Sequence, residues 1–245
     1  RAMRDIAAEN RGKVTAYVGA GGKTSAIRKR AETLRTEGKR VLILTTTKMM
    51  RSQEQELFAA YEQTGQESVI SATASVWQER RVAEKKLKER VQSILDTYGC
   101  CVAGSLIPGT EKFGMLPEKL MEDLLYLADE ILIEADGSAH MPVKAPAEHE
   151  PVLFPYMDEV VIVMGAHAIG KPLMEVCHRV DYAKELLKCD ADKIVTAADL
   201  ETLAEQGYAI PIQKQYPWMK ISKVTGKDIK LCLTAEKKDK VRDKQ

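Results

Sequence analysis

VTAYVGAGGKTSAIRKR, Val14 to Arg30, joins three patterns in one short run. Val14 to Val18 has the apolar character of a buried strand, Gly19-Ala20-Gly21-Gly22 turns the chain, and Lys23-Thr24-Ser25 opens a segment with helical spacing. Glycines belong where backbone N–H groups must converge on an anion, because a Cβ would block the approach. A helix N-terminus adds a partial positive charge at the same point. Strand, glycines, Lys-Thr and helix occur in the order that phosphate binding requires. The expected contacts are Gly19, Ala20, Gly21, Gly22, Lys23, Thr24 and Ser25. Lys23 would reach the β- and γ-phosphates of ATP or GTP, and the Thr24 hydroxyl would hold Mg2+. The match to G-x-x-x-x-G-K-[ST] is incomplete, since Tyr17 stands at the first glycine position. The loop is a shortened or deviant form of that motif.

Outward from this run, apolar strands alternate with helical patterns. The spacing predicts a helix from Thr24 to Glu37 stopped at Gly38, and a strand from Arg40 to Thr45 that is apolar on both faces. It predicts helices over Met49–Gln63, Val76–Thr97, Pro117–Leu127 and Asp199–Gln206, the last closed by Gly207. Strands are expected at Lys13–Val18, Ser68–Ser71, Cys100–Ala103, Glu130–Glu134, Glu159–Met164, Ala209–Ile212 and Met219–Lys223. This alternation predicts an α/β fold of the P-loop NTPase type, a mostly parallel sheet with helices on both faces. One domain over residues 1–225 and a charged tail over 226–245 are expected.

Glu130-Ile-Leu-Ile-Glu-Ala-Asp-Gly137 is the second informative segment. A parallel strand delivers its terminal residues to the sheet edge where a phosphate loop also lies. Glu134 or Asp136 would hold Mg2+ through water or orient the attacking water, and the residue types leave both open. With Lys23 they form the candidate catalytic set. Thr45-Thr46-Thr47-Lys48 follows the second strand, Arg40–Thr45, so Thr46 and Lys48 are further nucleotide contacts, or helix-capping loop residues. Lys144, His149, Lys171, His178 and Arg179 lie in loop segments and are candidates for an anionic substrate. His149 is equally readable as an acid–base group or a hydrogen-bonded structural histidine. The Gln213-Lys214-Gln215 run lacks the Asn and Asp of a guanine-reading N-K-x-D loop, which weakens GTP relative to ATP.

Thirty-seven basic residues face 36 acidic ones, and aromatics make up 5%. Such a balance argues against a broad grip on nucleic acid or a base-stacking platform. No apolar run reaches the roughly 20 residues that cross a membrane, and the Arg1-Ala2-Met3 start carries no leader pattern. Five cysteines with no C-x-x-C pair point to a reduced, cytoplasmic protein. Cys100 and Cys101 sit in an apolar run and are expected in the core.

Together, Val18–Thr24, Thr45–Lys48, Ile133–Ser138, Lys144–Pro151, and Gly170–Pro172 with His178-Arg179 resemble the YqeC-like family, linked to selenium cofactor biosynthesis. The resemblance implies a P-loop NTPase-like fold and an accessory role in maturing selenium-dependent molybdenum hydroxylases. Such a hydroxylase, or its cofactor machinery, would be the partner. Three activities are consistent with the residues: an Mg2+-dependent ATP or GTP hydrolase, a small-molecule phosphotransferase, and a nucleotide-gated interaction protein with little turnover.

Overall fold

A computed structural model describes residues 10–51, 55–62 and 74–225. The strand expected at Ser68–Ser71 and the charged tail over 226–245 lie outside these residues. The chain is α/β with a mostly parallel sheet. It folds as two compact units, the first drawn from residues 10–14 and 29–134, the second from 15–28 and 135–225.

In the first unit the strands are β2 (Val41–Thr45), β3 (Lys48–Met50), β4 (Phe58–Tyr61), β5 (Cys100–Leu106), β6 (Lys112–Gly114) and β7 (Glu130–Glu134). Their order is β7-β2-β5-β6-β3, with β4 paired to β5. β2 runs parallel to both β7 and β5, and β4 runs parallel to β5. β6 is antiparallel to β5 and to β3. All five residues of β2 are buried, which requires cover on both faces and accounts for the unbroken VLILT run. The long helix α2 (Ala74–Tyr98) puts Leu87, Val91, Ile94 and Leu95 into the core. Their spacing follows the helical period and leaves the charges outside. Cys100 and Cys101 are buried as expected, and burial beside Cys100 pushes the Cys101 thiol up to about 12. A short helix, α3 (Glu118–Leu124), follows Pro117.

The second unit holds β1 (Lys13–Gly19) from Thr15 onward, β9 (Glu159–Met164) and β11 (Lys220–Thr225). These align parallel in the order β11-β9-β1. All six residues of β9 are buried, as the central place requires. A separate parallel pair, β8 (Val143–Lys144) and β10 (Cys177–His178), sets Lys144 beside His178. The first helix, α1 (Lys23–Thr36), starts directly after the glycines. Later come α4 (Leu173–Val176), α5 (Val180–Leu187), α6 (Ala197–Thr202), a π-helical stretch over Leu203–Ala209, and α7 (Ile210–Gln215). Among the described residues, no helix is long and apolar enough to cross a membrane.

Three expectations are corrected. Met49–Gln63 is not a helix: β3, a 3-10 turn at Gln55–Leu57 and β4 occupy its described part. In β4, Ala59 and Tyr61 are buried while Ala60 is exposed, the period of two that pairing with β5 imposes over a helix-prone composition. Ala209–Ile212 is helical, not a strand. Pro211 sits in the first turn of α7, where its missing N–H is tolerated. Gly207 does not close the preceding helix, which runs on through it as the π-helical stretch. Its lack of a side chain serves close approach, since a Cβ there would lie 3.1 Å from Pro146 Cδ.

Candidate functional site

The glycine loop belongs to the second unit, and its backbone explains its composition. Gly19, Gly21 and Gly22 have φ of +88°, +71° and +121°, which L side chains rarely adopt. A Cβ on Gly19 would lie 2.2 Å from the Val163 carbonyl oxygen, and one on Gly21 would lie 2.4 Å from that of Pro142. At Gly22 a Cβ would meet nothing within 4 Å, and the residue is exposed. Two glycines therefore serve close packing, and the third borders open space.

The first two amides of the loop are already bonded within the protein. Gly19 N donates to Asp136 Oδ2 at 3.1 Å, and Ala20 N donates to the Val163 carbonyl at 2.8 Å. The first bond of α1 runs from Ala26 N to Gly22 O at 2.9 Å. An anion would therefore be served by the amides after Ala20, at the start of the helix. Lys23 is 4% exposed and folds back so that Nζ donates to Gly19 O at 2.6 Å. Thr24 and Ser25 are exposed at the same helix start. Backbone amides, an ammonium group and two hydroxyls make a donor set whose chemistry suits a phosphate chain and its Mg2+.

Behind the loop runs a buried chain of charges. Asp136 is 0% exposed, and its Oδ2 also accepts from Tyr208 OH at 2.7 Å. Its Oδ1 pairs with Lys144 Nζ, which is itself 0% exposed and also donates to Gly137 O at 2.6 Å. Lys144 Nζ lies 2.8 Å from Glu150 Oε2. Arg179 closes the chain with two bonds to the Glu150 carboxylate, Nε at 3.1 Å and Nη2 at 3.0 Å. Two carboxylates and two cations balance, which is the condition for keeping such groups out of water. Burial alone would raise the Glu150 carboxyl, but hydrogen bonds from Lys144, Arg179 and the Ala147 amide outweigh it and hold the group at about 2. Burial, reinforced by the Asp136 charge, raises the Tyr208 phenol well above its usual value, so it remains a donor. His178 is pulled down by burial first, then by the Lys144 and Arg179 charges.

The structure thus joins Gly19, Lys23, Asp136 and Lys144 through direct bonds, and Arg179 to Lys144 through Glu150. His149 and Lys171 are exposed, and among the described residues no hydrogen bond or ion pair ties them to this chain. In the first unit, Thr46 N donates to Glu134 O at 3.0 Å, and Thr45 Oγ1 donates to the same carbonyl at 2.9 Å. Lys48 is exposed on β3. Glu134 is 8% exposed at the end of β7. Among the described residues no cluster of three His, Cys, Asp or Glu side chains is formed.

Two members of the chain of charges were not singled out from sequence. Glu150 stood inside the quoted Lys144–Pro151 stretch, and the signal for it was a carboxylate six residues from a lysine in a proline-bracketed loop. Tyr208 carried no sequence signal, since it reaches Asp136 across 72 residues from the π-helical stretch.

The family described as YqeC protein matches residues 15–181, which take in the glycine loop and every member of the charge chain except Tyr208. A relative from Escherichia coli (strain K12), named "Uncharacterized protein YqeC", is 34% identical over 203 residues, covering 81% of this chain and 70% of the relative.

Proposed function

The chain belongs to the YqeC family, and from that premise we propose that it binds the triphosphate of ATP or GTP with Mg2+ on the loop Gly19–Ser25 and hydrolyses it in the cytoplasm. One observation carries the reading. A buried strand passes through three glycines at positive φ straight into a helix whose first residue is an inward-folded lysine. The amides from Gly21 onward and the Thr24 hydroxyl would hold the phosphates and the metal, and Lys23 would exchange its bond to Gly19 O for one to a phosphate oxygen. Bound Mg2+ would supply charge neutralisation at the phosphates. A fold of the P-loop NTPase type is part of the same proposal. Asp136 has its oxygens committed to Gly19, Tyr208 and Lys144, which reads it as a support of the loop.

The phosphotransferase reading draws less support. Lys144 and Arg179, two of the cations available for an anionic acceptor, are spent on Asp136 and Glu150. For the partner, we propose a selenium-dependent molybdenum hydroxylase or its cofactor machinery, on the family resemblance alone.

Calorimetric titration with ATP and GTP in the presence of Mg2+ tests the central claim. The wild type should bind at least one of them, and Lys23→Ala should lower affinity about 100-fold or more, the loss of a charge-assisted contact worth roughly 3 kcal/mol. Phosphate release by the wild type, lost in Lys23→Ala, is expected from the hydrolase reading. Equal binding by wild type and Lys23→Ala would remove the phosphate loop from the proposal.

A further inference from the structure

Gly19 is where the chain leaves β1, and both of its backbone polar groups are held. Its N–H goes to Asp136, its carbonyl receives Lys23 Nζ, and the next N–H goes to Val163. Asp136, which makes the first of these bonds, is fixed in turn by groups from two distant parts of the chain: Lys144 from β8 and Tyr208 from the π-helical stretch. A carboxylate presents about four lone-pair directions, so three donors leave it little freedom. The torsion that turns a carboxylate is broad and roughly two-fold. Without the Tyr208 hydroxyl the group gains room to rotate, and the Gly19 N–H would follow it.

We propose that Asp136 and Tyr208 are positioning residues of the phosphate loop: Asp136 sets the direction of the Gly19 peptide, and the Tyr208 hydroxyl sets the direction of Asp136. The inference rests on the nucleotide-binding reading and deepens it. π-Helical turns are rare in proteins and concentrate at functional sites. Here seven residues adopt one, and Tyr208 lies within it, fully buried, with its hydroxyl 2.7 Å from Asp136. Lys144 supplies the counter-charge, and Glu150 with Arg179 keeps Lys144 itself neutralised. The amides that would face phosphate begin two residues beyond Gly19. A tilt of that peptide propagates directly to them, and small misplacements weaken such contacts steeply.

Tyr208→Phe is the decisive variant, because it keeps the buried ring and deletes only the hydroxyl. Two readouts are taken: nucleotide affinity by calorimetry, and the Gly19 amide resonance in the nucleotide-free protein by NMR. The expected result is about a tenfold loss of affinity for Mg-ATP or Mg-GTP, with the Gly19 amide signal displaced and amides of β2 and β5 unmoved. Asp136→Asn should give the same pattern more strongly. Tyr208→Phe keeps the test open should the Asn variant fail to fold. Affinity within twofold of wild type and an unmoved Gly19 signal would overturn the positioning role. The nucleotide reading would still stand if Lys23→Ala abolished binding in the same series. A wild type that binds neither nucleotide overturns both.

Discussion

Gly21 and Gly22 are adjacent, both have positive φ, and they answer to different constraints. A Cβ on Gly21 would be driven into the Pro142 carbonyl and within 2.7 Å of Gly165 Cα, whereas one on Gly22 would meet open space. Gly21→Ala is therefore expected to disrupt the loop and lower the thermal midpoint strongly. Gly22→Ala bears only the backbone strain of its φ, on the order of 1–2 kcal/mol. It should fold, with a small drop in the midpoint, while nucleotide affinity falls because its new methyl group would stand on the open side of the loop. Thermal melting and titration of the two variants side by side check this. The need for glycine at both positions was legible from the strand–glycine–Lys-Thr order. Which of them packs and which faces open space was not, because the carbonyl pressing on Gly21 belongs to Pro142, far away in the chain.

At the scale of elements, the most deeply buried strands were the most legible. β2, β7 and β9 fall within a residue of their expected limits because an unbroken apolar run of three to five residues, bounded by polar ones, has few alternatives. Loss of legibility occurs where pairing overrides composition, as in β4, and where the helix widens, as at Leu203–Ala209. The C-terminal residue of that stretch is followed by Ile210, whose N–H bonds back five residues to the Glu205 carbonyl. Gly207 permits this stretch to lie against Pro146 and Leu186. Gly207→Ala would put a methyl group 3.1 Å from Pro146 Cδ and 3.4 Å from Leu186 Cδ1. A loss of about 1–2 kcal/mol is expected from this overpacking, read as a lower urea midpoint at an unchanged slope.

For the molecule as a whole, the buried charges link stability to pH. The Glu150 carboxyl is held at about 2, well below the 4.5 of a free glutamate. A depressed acid contributes its stability above the unfolded value and loses it as pH falls through the folded one. The contribution is thus complete above about pH 5 and drains away between there and about pH 2. With the Glu150 side chain 16% exposed, it is on the order of 3 kcal/mol. Wild type should lose stability across that window in urea titrations. Glu150→Gln should be less stable at pH 7, by roughly 3 kcal/mol, because Lys144 and Arg179 lose a shared partner, and its stability should fall less on acidification. A variant with the same acid profile as wild type would remove Glu150 from the account of acid stability. The charge chain also bears on how the candidate site could be read in advance. Lys144 and Arg179 stood out as cations, yet their carboxylate partners make them part of the framework.

By itself the sequence determined the α/β alternation, the buried parallel strands and the turn from β1 into α1, because each depends on neighbours in the chain and on short apolar periods. It also carried the family, through motifs that keep their order. Only the tertiary structure decided that Asp136 holds Gly19, that Tyr208 holds Asp136, and that Lys144 spends its charge inside. Those bonds join groups 117, 72 and 8 residues apart. A hydrogen bond is a relation of position and direction, and distance along the chain carries neither once the backbone has folded.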